Sequence, residues 1–253
     1  MLQLFTATIF LNALLLFWMQ PLFVRMVLPL LGGAPAVWNT AMVFFQTGLL
    51  AGYAYAHFIN ARLPARAQVP AQMLVMALPL AVLPVAVAGG APPVDANPIP
   101  WLIWLMTLSV GLSFFAVATN GALLQRWFSL SGDADSSNPY TLYSASNLGS
   151  MLALLAYPFV FEQWLGLERQ STLWAVVYVG LVGLIGLCGW RVRRGLVPAQ
   201  LEIPPDVSTV SWNTRTMWVV LAFVPSSLLL GVTMHISTEV AVAPLLWVVP
   251  LAL

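Results

Sequence analysis

The chain has 253 residues, 60% of them hydrophobic and only 7% charged, with a mean hydropathy of +0.90. Soluble domains carry about 25% charged residues, so this composition excludes an ordinary globular protein and length is better counted in membrane spans. A formal net charge of +1, with arginine as the only basic residue besides two histidines, points to neither nucleic acid nor an acidic partner. The single cysteine, Cys188, excludes an intramolecular disulfide framework and a cysteine-based zinc site.

Eight apolar segments follow in order, at 4–24, 36–59, 69–88, 101–124, 139–161, 171–190, 216–236 and 240–253. None contains Asp, Glu, Lys or Arg, as expected where a charge in hydrocarbon costs several kcal/mol. A spanning helix needs about 20 apolar residues. The expectation is therefore an all-α, polytopic transmembrane bundle of about eight spans in contact with a lipid bilayer, the last one truncated. Residues 1–190 would form the first six spans, 191–215 a cytoplasmic loop, and 216–253 the start of a second half that continues past Leu253. The N-terminal run has no basic stretch before Leu4 and no small-residue cleavage site, so it reads as the first span rather than a signal peptide. Trp38, Trp101, Trp104, Trp127, Trp164, Trp174, Trp190 and Trp218 sit near segment edges and read as interfacial anchors.

Arginine sets the expected orientation. The even connections hold Arg62, Arg66, Arg126, Arg191, Arg193, Arg194 and Arg215, and the odd ones only Arg25 and Arg169. That asymmetry places the N-terminus in the cytoplasm, with Asp95, Glu162, Glu168 and Glu239 on the opposite face. Asn138-Pro139 at the end of SGDADSSNPY marks a helix start.

Uncharged polar residues inside the segments are the candidates for function. On the second helix Asn39, Gln46 and Tyr53 recur every seven residues and His57 follows by four, which keeps them on one face. Ser109, Ser113 and Asn120 share a face of the fourth helix, and Tyr140, Ser144 and Asn147 one of the fifth. Such residues either line a polar cavity or hydrogen-bond between helices. The candidate substrate cavity comprises Gln20, Asn39, Gln46, Tyr53, Asn120 and Asn147. Gln20-Pro21 is expected to kink the first helix and free a backbone carbonyl. Arg25 should reach the external interface by extending its side chain. Ala145, Gly149 and Ala153 form a small-residue ridge suited to close helix contact, and Gly180, Gly183, Gly186 and Gly189 permit packing rather than binding. His235 and Glu239, four apart, form either an external gate or a surface pair. No metal site, cofactor site or catalytic constellation is expected, because the histidines lie far apart and no nucleophile–base pair recurs at helical spacing.

Three blocks carry a resemblance: QPLFVRMVLPLLGGAPAVWNTAMVFFQTGLLAGYAYAH at 20–57, NPYTLYSASNLGSMLALLAYPFVFE at 138–162, and WVVLAFVPSSLLLGVTMHISTEVAVAPLLWVVPLAL at 218–253. Together they resemble the N-terminal membrane region of fused major-facilitator-like/spermidine-synthase-like proteins. The resemblance implies a bacterial-type inner-membrane protein with two six-helix halves, followed by a soluble aminopropyltransferase-like domain absent from this chain. It also implies a small polar or cationic metabolite, such as a polyamine, as the partner. The glycine-rich loop of such an enzyme domain does not occur here, and the only closely paired acids, Asp133 and Asp135, lie in a loop. The usual major-facilitator Asp-Arg turn is also missing: GYAYAHFINARLPARAQ has Gly52, Arg62 and Arg66 but no Asp-Arg pair. Two functional expectations result, a transporter-like domain or a non-transporting membrane anchor.

Overall fold

The computed structural model describes residues 1–31, 35–90, 92, 97–133, 135, 136, 138, 140–195 and 210–235. Its described residues form helices and no strand. The long ones are α1 (Leu2–Leu31), α2 (Pro35–Arg62), α3 (Ala65–Ala77), α4 (Pro98–Ser129), α5 (Tyr140–Trp164), α6 (Leu167–Gly195) and α7 (Trp212–His235). Helices α1, α4, α5 and α6 are long and apolar enough to cross a membrane. They correspond to the first, fourth, fifth and sixth predicted segments. The eighth segment lies outside the described residues.

Helix α1 is the axis of the bundle. Phe5, Ile9, Leu15, Trp18, Met19, Leu22 and Phe23 are buried around its circumference, the pattern of a helix enclosed on every side. Helices α4, α5 and α6 pack against it. Lipid tails are as apolar as leucine, so helices associate there by close fit rather than by hydrophobic force. The predicted ridge supplies that fit. Ala145, Gly149 and Ala153 face α1, and a Cβ at Gly149 would come within 2.4 Å of the Phe10 carbonyl oxygen. A Cβ at Gly52 would meet the Ala118 backbone at 2.8 Å, which brings α2 onto α4. Gly189 abuts Val69 of α3, whereas Gly180 and Gly183 face open space.

The two ends of the bundle are tied differently. The N-terminal ammonium lies 3.1 Å from Asp133, so the start of α1 and the α4–α5 connection share one face. At the other end Arg25 of α1 pairs with Glu162 of α5. Asn97 Oδ1 accepts from the Ile99 N–H and Asn138 Oδ1 from the Tyr140 N–H, capping α4 and α5 at their first turns.

The third predicted segment, 69–88, is not one continuous helix. α3 ends at Ala77, a tight turn covers Leu78–Ala81, and residues beyond it are non-helical. Pro79 and Pro84 lack the N–H groups a helix would need there. The freed backbone is satisfied by protein: Ser171 Oγ donates to the Val85 carbonyl, and the Ala88 N–H donates to Ser109 Oγ at 2.9 Å.

The tryptophans also divide. Trp104, Trp164, Trp190 and Trp218 are exposed on the bundle, but Trp38, Trp127 and Trp174 are buried and are not interfacial anchors. Trp127 Nε1 donates to Gln68 Oε1 at 3.0 Å, and Trp174 Nε1 donates to the Leu15 carbonyl at 2.9 Å. Each indole has an internal acceptor, which removes its need for the water interface.

Candidate functional site

Two polar loci lie along α1. The first is a knot in the bundle centre. Gln72 of α3 donates from Nε2 to Thr119 Oγ1 and to Asn120 Oδ1, each at 2.7 Å. Asn120 of α4 donates from Nδ2 to Asn12 Oδ1 of α1 at 2.9 Å and to the Met76 sulfur at 3.4 Å. Tyr178 of α6 donates to the Met76 carbonyl at 2.8 Å and stacks on Trp174, ring centroids 5.2 Å apart. The knot thus joins α1, α3, α4 and α6. Asn12, Gln72, Thr119 and Asn120 are all buried, and Gln72 Oε1 and the nearby Ser113 hydroxyl have no hydrogen-bond partner.

The second locus is a cavity of about 320 Å³ at the end of the bundle opposite the N-terminus. Arg25, Pro29, Tyr157, Glu162, Leu167 and Gln170 are among its walls. Gln170 Nε2 is committed to the Phe161 and Leu165 carbonyls at 3.0 and 2.8 Å, and its Oε1 is buried and unpartnered. The Tyr157 hydroxyl is likewise buried and unpartnered. Tyr157 opens a π-helical turn, Tyr157–Phe161, in α5. Such turns insert an extra residue per turn and recur at functional sites. Trp18 stacks on Phe161 at 4.2 Å and fixes that turn against α1. A second cavity of about 480 Å³ lies across Leu167, walled by Met26, the 84–87 backbone stretch, Glu168 and Ser171.

The six candidate cavity residues do not gather around one space. Asn120 is in the knot and Gln20 is buried in α1. Asn39 is half-buried, while Gln46 and Tyr53 are exposed on the outer surface of α2 and Asn147 on that of α5. The seven-residue stripe does share one face of α2, but α2 turns the opposite face, Trp38, Ala41, Phe45, Gly52 and Ala56, towards the bundle. His57 is exposed on the same outer face. His235 is exposed at the end of α7, and its proposed partner Glu239 lies outside the described residues. Ser109 serves as an acceptor for backbone rather than facing a solute space. Arg25, a third exposed, is paired with Glu162. Among the described residues, no group of three His, Cys, Asp or Glu side chains could hold a metal ion.

Sequence reasoning missed Gln72, Thr119, Tyr157 and Gln170. Gln68 and Gln72, four residues apart in an otherwise apolar segment, were a readable signal; an orphaned tyrosine hydroxyl has none.

No family model, no curated protein and no solved structure matches this chain.

Proposed function

We propose that this chain is a transporter-like, major-facilitator-like membrane domain that binds or passes a small polar or cationic metabolite such as a polyamine. The observation that supports this reading best is a pair of polar loci beside the central helix, the knot at Asn12 and the Arg25 cavity, with the buried Gln20 between them in the chain. Polar residues inside a membrane bundle are expensive and tend to mark solute pathways. No Asp or Glu sits in the knot, so passage down a gradient suits these groups better than proton-driven pumping. The arginine asymmetry and the apolar segments further suggest a cytoplasmic N-terminus and about eight spans, and the resemblance described above suggests a bacterial-type inner-membrane location and an aminopropyltransferase-like domain as the chain's functional partner.

A second reading has its own support. Gln46, Tyr53 and Asn147 face outward, and the knot is closely packed, as suits a rigid anchor that transports nothing. Uptake of radiolabelled putrescine and spermidine into proteoliposomes separates the two. Saturable uptake that Asn120→Ala abolishes in folded protein supports transport. Uptake no greater than in empty liposomes removes the transport reading and leaves the anchor.

A further inference from the structure

The outer seam between α3 and α6 carries a chemistry of its own, which holds whether or not a solute crosses. A Cβ at Gly186 would meet Met73 at 3.5 Å and one at Gly189 would meet Val69 at 2.5 Å, so the two packed helices run antiparallel with these residues facing. Arg66 lies three residues before Val69 and seven before Met73; Arg193 lies four after Gly189 and seven after Gly186. Those steps keep each arginine on its helix's seam stripe, where the seam runs out. Both are exposed. The Thr8 Oγ1–Cys188 Sγ contact at 3.4 Å puts that end of α6 beside the start of α1.

The seam has an inner and an outer flank. Gln68, Gln72, Ile185 and Cys188, each one residue before a seam position, are buried. Leu74, Leu187, Trp190 and Arg194, each one residue after, are exposed. In antiparallel helices a one-residue step turns both to the same side, so these four share the outer flank. Towards the helix ends that flank passes from leucine to tryptophan to arginine. A phospholipid presents the matching order of acyl chain, interface and headgroup. The Arg194 guanidinium lies over the Trp190 ring, 4.0 Å from its centroid.

No carboxylate balances these cations among the described residues. The ion pairs there are Met1–Asp133 and Arg25–Glu162, and neither takes Arg66, Arg193 or Arg194. The helix dipole favours Arg193 and Arg194 in the last turn of α6. It disfavours Arg66, which stands in the first turn of α3, where Pro64 offers no capping side chain. An anion at this point meets both the positive pole of α3 and guanidinium forks suited to phosphate oxygens.

We propose that the outer flank of the α3–α6 seam binds one anionic phospholipid, its phosphate held by Arg66, Arg193 and Arg194 and an acyl chain laid along Leu74 and Leu187.

The test uses the full chain in nanodiscs of phosphatidylcholine and phosphatidylglycerol in equal parts, with lipid retained on the released protein counted by native mass spectrometry. Phosphatidylglycerol should be retained in preference to phosphatidylcholine. Arg66→Gln and Arg193→Gln should each lower that preference about fivefold, the effect of one basic residue at an anionic surface. Both side chains are exposed, so the melting temperature in phosphatidylcholine alone should be unchanged. Arg126→Gln, near the end of α4 and off the seam, should leave the preference intact. Inorganic phosphate should not displace the lipid. Equal retention of the two lipids overturns the proposal, and is the result expected if Glu202 or Asp206, outside the described residues, already neutralises the arginines. An equal loss in Arg126→Gln would reveal a diffuse basic rim, and displacement by inorganic phosphate a soluble-anion site; either also overturns it. So does undiminished preference in the Arg66→Gln, Arg193→Gln double variant.

Discussion

Gln72 and Asn120 meet side chain to side chain at 2.7 Å in the middle of the bundle, and both are essentially inaccessible to solvent. Asn120 also holds Asn12, so one amide group mediates contact among three helices. Asn120→Ala strands donors and acceptors on Gln72 and Asn12 together. The expected loss is about 2 kcal/mol, larger than an average interhelical hydrogen bond because two partners are orphaned at once. A double-mutant cycle with Gln72→Ala should give a coupling of about 0.6–1.7 kcal/mol, read by reversible unfolding in mixed micelles.

Gly149 sits where a methyl group would press on the Phe10 carbonyl. Gly149→Ala should cost about 1–3 kcal/mol, since backbone rather than a flexible side chain must yield. Gly180→Ala, at a position facing open space, should be neutral or slightly stabilising through helix propensity. Thermal unfolding of the two variants side by side checks the contrast.

The buried and exposed tryptophans should respond differently. Trp174→Phe leaves the Leu15 carbonyl without its indole donor and is expected to cost about 1–2 kcal/mol. Trp104→Phe, on the exposed outer surface, should change stability by less than about 0.5 kcal/mol.

The contact between the N-terminal ammonium and Asp133 should depend on pH. The Asp133 carboxyl is held below its usual range, first by the Asp135 N–H and then by the ammonium. A carboxylate whose folded pKa is depressed stabilises the fold above its ordinary pKa and loses that contribution as pH falls through the lowered value. Between neutrality and the ordinary carboxylate range the wild-type and Asp133→Asn difference should stay constant. It should vanish on further acidification. Because the pair is partly exposed, added salt should shrink it as well.

Sidedness can be read chemically. Cys188 is buried and should resist maleimide labelling, so introduced cysteines report cleanly. Asp135→Cys should label only after cells are permeabilised, and Glu168→Cys in intact cells, if the arginine asymmetry sets the orientation. The reverse pattern would invert the chain.

Much of the helical architecture was legible because it depends on quantities a sequence carries directly: apolar run length, charge exclusion, and small residues at four-residue spacing such as Ala145, Gly149 and Ala153. Where the third segment broke was written in Pro79 and Pro84, but apolar composition outweighed those prolines. The site was less legible for a geometric reason. Periodicity shows that Asn39, Gln46 and Tyr53 share a face of α2; it does not say whether that face turns inward. That choice is made by Gly52 against Ala118 and by neighbours far away in sequence. Trp127 and Trp174 show the same limit, since an indole near a segment edge reads identically whether its donor finds a headgroup or Gln68 or Leu15.

The Asn12–Asn120 bond joins residues 108 positions apart. Synthesis at about 5–20 residues per second means that α1 is made some 5–20 s before its polar partner exists. During that interval the Asn12 amide must be satisfied by something other than Asn120. Biogenesis of this chain is therefore a waiting problem, in which the innermost helix is made before the helices that enclose it and is the last to find its surroundings complete.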